Sequence, residues 1–112
     1  MADDFSVGAA GPVFRVDKFV VPAGSLAEFV EQIRQVHRTL AGLPGCLQKH
    51  LLTQTSGDAE FNVVTIVQWV DADAVASAQA VIQKKFKDEK FDQASFRKKL
   101  GVRGDSGFYA EA

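Results

Sequence analysis

The ten residues Phe61-Asn-Val-Val-Thr-Ile-Val-Gln-Trp-Val70 decide the architecture of this 112-residue chain. Read as a strand, they send alternate side chains to opposite faces of a sheet. Phe61, Val63, Thr65, Val67 and Trp69 share one face, and Asn62, Val64, Ile66, Gln68 and Val70 share the other. Both faces are largely apolar, and apolar surface left in water forgoes roughly 25 cal/mol per Å². A chain of this size has too few helices to cover two sheet faces. The second face therefore needs something from outside the chain, most simply another copy of it.

Working outward, Val13 to Val21 is expected to form the first strand, with Pro12 at its start, where a missing N–H does little harm. Phe14, Val16 and Val20 fall on one side and Val13, Phe19 and Val21 on the other. Arg15, Asp17 and Lys18 interrupt the pattern and make this strand the wetter one. Leu26, Phe29, Val30, Ile33, Val36 and Leu40 follow helical spacing, and Ser25 with Glu28 has the form of a capping box. Gly42, Pro44 and Gly45 end that helix. Cys46 to about Thr55 alternates as a second strand, followed by a turn-rich loop.

Asp71 or Asp73 can cap a second helix with Val75, Ala78, Val81, Ile82 and Phe86 on its apolar side. A short third helix is expected over Asp92 to Leu100, and a closing edge strand over Gly107 to Ala110. The order β-α-β-β-α-(α)-β is the split βαβ, ferredoxin-like arrangement, an α+β fold with a four-stranded antiparallel sheet. Isologous pairing of two uncovered sheet faces would complete it as a homodimer.

Residues 1–11 read as a loose leader and residues 12–112 as a single domain. A formal net charge of −1 supplies no global field to attract nucleic acid or an anionic membrane. The basic C-terminal third, from Lys84 to Lys99, is offset by Asp88, Glu89 and Asp92, and reads as a solvated helix face. The single cysteine, Cys46, excludes an intrachain disulfide and suits a reducing compartment. No apolar run approaches membrane-spanning length, so the expected location is cytoplasmic. Two isolated histidines and one cysteine do not form a spaced metal-ligand set, and no glycine-rich phosphate loop is present.

Leu43-Pro-Gly-Cys46, the strand from Val63 to Trp69, and the helix start from Asp71 to Val75 together resemble the antibiotic biosynthesis monooxygenase family. The resemblance covers about residues 13–110. It implies a dimeric α+β barrel with a pocket in each subunit, between the sheet and its own helices. Relatives of this kind include cofactor-free oxygenases of polycyclic phenols, quinol oxygenases and haem-degrading enzymes. Trp69 matches the tryptophan those oxygenases carry at this strand end. Some quinone-forming members have an asparagine four residues earlier, where this chain has Thr65. Haem-degrading members carry a histidine near the position of Ala78, and an asparagine in the first strand; this chain has neither.

Five side chains are candidates for the chemistry. Trp69 can stack on an aromatic substrate and donate its indole N–H, or it can fill the core. Thr65 shares its face and would lie beside it on the pocket wall. His37, one turn from both Ile33 and Leu40, can accept a proton at the pocket wall or serve as a partly exposed structural residue. His50 alternates with Gln48 and Leu52 and can face either layer. Tyr109, the only tyrosine, can hydrogen-bond a substrate hydroxyl or pack at the sheet edge.

The resemblance implies a small homodimeric monooxygenase-like enzyme acting on an aromatic or quinone-like molecule without cofactor or metal. The alternative is a non-catalytic small-molecule-binding or structural homodimer on the same scaffold. An isomerase or lyase, needing only a positioned acid or base, is a third possibility.

Overall fold

A computed structural model describes residues 11–112, so the expected leader lies outside the described residues except for Gly11. The elements run β1 (Val13–Val20), α1 (Leu26–Ala41), β2 (Cys46–Thr53), β3 (Val63–Trp69), α2 (Ala72–Asp88), α3 (Gln93–Leu100) and β4 (Arg103–Tyr109). The strands form one antiparallel sheet in the order β2-β3-β1-β4, with the helices packed on one face. This is the α+β, ferredoxin-like arrangement expected from the element order. β4 is longer than the expected Gly107–Ala110 and pairs with β1 along seven register positions.

Register decides what the helices cover. Val13, Arg15, Asp17 and Phe19 of β1 pair with Trp69, Val67, Thr65 and Val63 of β3, and cross-strand partners share a face. On β3, Val63, Thr65, Val67 and Trp69 are all buried beneath the helices. Val64, Ile66 and Gln68 alternate with them on the open face and are only half-buried. Phe14, Val16, Lys18 and Val20 of β1 join that open face, as does Leu52 of β2.

Two apolar clusters stand under the helices. Val13, Leu40, Val67, Trp69, Val75 and Ala78 form one. Phe19, Val21, Phe29, Ile33, Val63 and Leu100 form the other, with Phe19 and Phe29 edge to face at 4.9 Å. Asn62, just ahead of β3, clamps the second cluster. Its side chain accepts from the Val21 N–H and donates to the Val21 carbonyl, both at 2.8 Å, which extends the β1–β3 ladder by one rung.

Two local expectations are corrected, and the choice between two helix caps is resolved. The Ser25–Glu28 capping box does not form, because the chain enters α1 through a 3₁₀ turn over Ala23–Ser25 that gives Ser25 helical dihedrals. The Ser25 hydroxyl instead donates to the Leu100 carbonyl at 2.7 Å, tying the start of α1 to the end of α3. Val81 is exposed, since it lies about a third of the way round α2 from the side that carries Val75 and Ile82 onto the first cluster. Asp71, not Asp73, caps α2 by accepting from the Ala74 N–H at 2.9 Å. Gly45 turns the chain into β2 at φ +86°, where a Cβ would meet that of Ala74 at 2.6 Å.

Candidate functional site

Between the two clusters the helices part from the sheet and leave a cavity of about 400 Å³. That lies within the range of small-molecule sites, roughly 300–1,000 Å³. Trp69 and Phe19 mark the two ends of its floor, with Arg15, Asp17 and Thr65 between them. His37 of α1, Gln79, Gln83 and Phe86 of α2, and Arg97 of α3 complete the wall. A polar belt thus crosses a half-open cleft bounded at each end by apolar side chains.

The belt is organised around Asp17. Arg15 donates to both carboxylate oxygens, Nε to Oδ2 at 3.0 Å and a terminal amino group to Oδ1 at 3.3 Å. Thr65, only 5% exposed, points its hydroxyl at Asp17 Oδ2 over 3.5 Å, the outer limit of a hydrogen bond. Arg97 sits over the Phe19 ring, its Cζ 4.9 Å from the ring centroid.

Burial pushes the His37 imidazole below the ordinary histidine pKa of 6.5; Lys49 pushes the same way and Asp17 opposes. His37 is therefore neutral at pH 7, with a ring nitrogen free to accept a proton. The same shift has a consequence for stability. As pH falls through about 6.5, the unfolded chain takes up the proton before the folded one does, so stability declines with falling pH. His37→Gln is expected to flatten the pH dependence of the urea midpoint between about pH 7 and 5. A slope equal to that of the parent protein would show that His37 does not titrate differently on folding.

The structure brings Trp69, Thr65 and His37 together on the cavity wall. His50 and Tyr109 lie elsewhere. His50 pairs with Ile66 on the open face, and its Nε2 is 3.3 Å from Gln48 Oε1. Tyr109 pairs with Phe14 on that same face, is 52% exposed and lies over Gly107. Cys46 is half-buried, and burial raises its thiol pKa, which keeps it protonated.

Sequence reasoning missed Arg15, Asp17 and Arg97 as cavity residues. Their signal was present. Arg15 and Asp17 have the same strand parity as Val13 and Phe19, and Arg97 lies three residues before the buried Leu100, on the same side of α3. Among the described residues no group of three or more His, Cys, Asp or Glu side chains is placed to hold a metal ion. No described helix is long and apolar enough to cross a membrane.

Solved structures share this arrangement across nearly the whole chain. SnoaB, a cofactor-independent oxygenase from Streptomyces nogalater, is 27% identical with a TM-score of 0.70, over 92% of this chain and 95% of its own. A protein of Caulobacter crescentus named as an antibiotic biosynthesis monooxygenase superimposes with a TM-score of 0.72 over 98% of both chains, at 14% identity. A dabb family protein with a ferredoxin-like fold from Mesorhizobium loti gives 0.57 over 91% of this chain and 98% of its own, at 14% identity. The last two are alike in fold alone. No curated protein sequence matches significantly. The sequence model of the antibiotic biosynthesis monooxygenases matches residues 12–91. This span is most of the chain and contains β1, α1, β2, β3 and α2, so the chain belongs to the antibiotic biosynthesis monooxygenase family.

Proposed function

We propose that this protein is a cofactor-independent monooxygenase acting on an aromatic or quinone-like small molecule, as a cytoplasmic homodimer. The carrying observation is the cavity itself, a cleft bounded by Trp69 and Phe19 and crossed by a polar belt that includes a neutral histidine. In such a reaction the phenolate or enolate of the substrate reduces dioxygen. One oxygen atom is kept as a carbonyl and the other leaves as water. The chain binds the ring against Trp69, takes the acidic proton at His37, and keeps bulk water away from the carbanion.

The homodimer reading is supported by the open sheet face. Phe14, Val16, Val20, Leu52, Val64 and Ile66 lie there without helical cover, and a two-fold partner would bury them. The cytoplasmic reading is supported by Cys46, a free thiol that fits a reducing compartment.

Oxygen consumption with a panel of anthrones and hydroquinones tests the reaction. Turnover is expected on at least one of them, falling about tenfold in Trp69→Phe, which keeps the ring but loses the indole N–H. No turnover above that variant on any compound would remove the catalytic claim. One observation favours a second reading, a binding protein without turnover: the Thr65 hydroxyl is directed at Asp17. Saturable ligand binding without oxygen uptake would establish that reading.

A further inference from the structure

Four charged side chains border the cavity in addition to His37, and they are not equivalent. Arg15 spends two N–H groups on Asp17, and that pair is neutral as a unit. Asp105 touches the cavity rim, but it pairs with Lys18, which places its side chain on the open face. Arg97 is left over. It is half-buried, makes no ion pair among the described residues, and has the Phe19 ring under its guanidinium. A ring face attracts the guanidinium charge and takes none of its N–H donors.

We infer that Arg97 is a specificity residue that selects ligands carrying a carboxylate, held at the end of the cavity away from Trp69. The inference rests on the reading of this cavity as an aromatic-ligand site and names the substrate class more narrowly. A planar guanidinium matches a carboxylate with two parallel hydrogen bonds, stronger than neutral ones. Burial lowers the proton affinity of Arg97, Asp17 partly restores it and Arg15 opposes, so an arriving anion relieves a charge held at a cost. The neutral Arg15–Asp17 pair offers an anion no net charge at the middle of the floor, and the unpaired guanidinium of Arg97 leaves the Phe19 end as its position.

The geometry also sets a length. Trp69 and Val63, the partner of Phe19, are six residues apart on β3, roughly 20 Å of strand at about 3.3 Å per residue. Side chains reaching in from both ends shorten that span to the scale of two or three fused rings with an acidic substituent. Arg97 lies outside residues 12–91, so this selectivity belongs to the C-terminal part of this chain and not to the segment matched by the family.

Anthraquinone-2-carboxylate and anthraquinone-2-carboxamide are suitable probes, since they have the same rings and differ in charge. Trp69 is the only tryptophan, so quenching of its fluorescence reads binding directly. The parent protein is expected to bind the carboxylate at least about tenfold more tightly than the carboxamide. Arg97→Gln should bring the two within about twofold by weakening only the carboxylate, and Arg97→Lys should keep part of the preference. A preference that survives in folded Arg97→Gln, or equal affinities in the parent protein, would overturn the inference. The parent comparison decides alone if Arg97→Gln fails to fold. Binding of neither probe would instead refute the aromatic-site reading, and the carboxylate inference with it.

Discussion

The parent protein is expected to sediment as a dimer at micromolar concentration and Ile66→Asp as a folded monomer, with cavity and helices intact. Ile66 sits mid-strand on the open face of β3, paired with Val16 on one side and His50 on the other. Phe14, Val16, Leu52 and Val64 lie around it as an apolar patch, with Gln68, His50 and Lys18 interspersed. In an isologous interface every residue occurs twice, so one substitution places two carboxylates in the contact. Each costs about 2–3 kcal/mol in lost burial and desolvation, which weakens association by roughly 10³- to 10⁴-fold. Sedimentation velocity of both proteins, with circular dichroism to show that the variant is folded, gives the answer. A parent protein that sediments as a monomer, or a variant that stays dimeric, would show that the open face is not the interface.

The same strand shows how far the sequence could be read. Alternation groups the residues correctly over Val63–Trp69, which is the extent of the strand, and the buried set Val63, Thr65, Val67 and Trp69 is the one that sequence parity gives. Asn62 was counted with the open face, and its hydrogen bonds to Val21 could not be read from polarity. Parity also could not place His50. The register between β2 and β3 shifts between Cys46 and Gln48, where Leu47 is the extra residue. Cys46 faces the helices beside Trp69, and past the shift the same parity faces outward, which carries His50 to the open side.

The charged residues of β1 show a different limit. A hydrophobicity pattern distinguishes apolar surroundings from polar ones and cannot tell bulk water from a polar cavity. Arg15 and Asp17 therefore read as interruptions of a wet strand, although they are the centre of the site. Arg97 was hidden in the same way among Lys84, Lys85, Lys98 and Lys99. Lys84 and Lys85 do behave as solvated helix residues, with i,i+4 partners Asp88 and Glu89. Only three-dimensional packing separates Arg97 from them.

Phe29→Ala is expected to lower stability by about 3–5 kcal/mol and to loosen the carboxylate end of the cavity. Phe29 is fully buried, at 0% exposure, and few side chains in the described chain are so enclosed. Its neighbours in the second cluster include Ile33 on its own helix, Val63 on β3 and Leu100 on α3. Those elements cannot close together over the missing ring without breaking the Ser25–Leu100 hydrogen bond or the Asn62 clamp, so the site collapses only in part. The edge-to-face contact at 4.9 Å means that Phe29 also holds the Phe19 ring in place, and Phe19 in turn carries Arg97. A drop in melting temperature of roughly 15–30 °C is expected for a domain of this size. Below the new transition, the preference for the carboxylate probe over its carboxamide should fall although Arg97 is unchanged. Loss of stability with full retention of that preference would show that Arg97 is positioned independently of the Phe19–Phe29 pair. A loss under about 1 kcal/mol would show that the second cluster repacks freely.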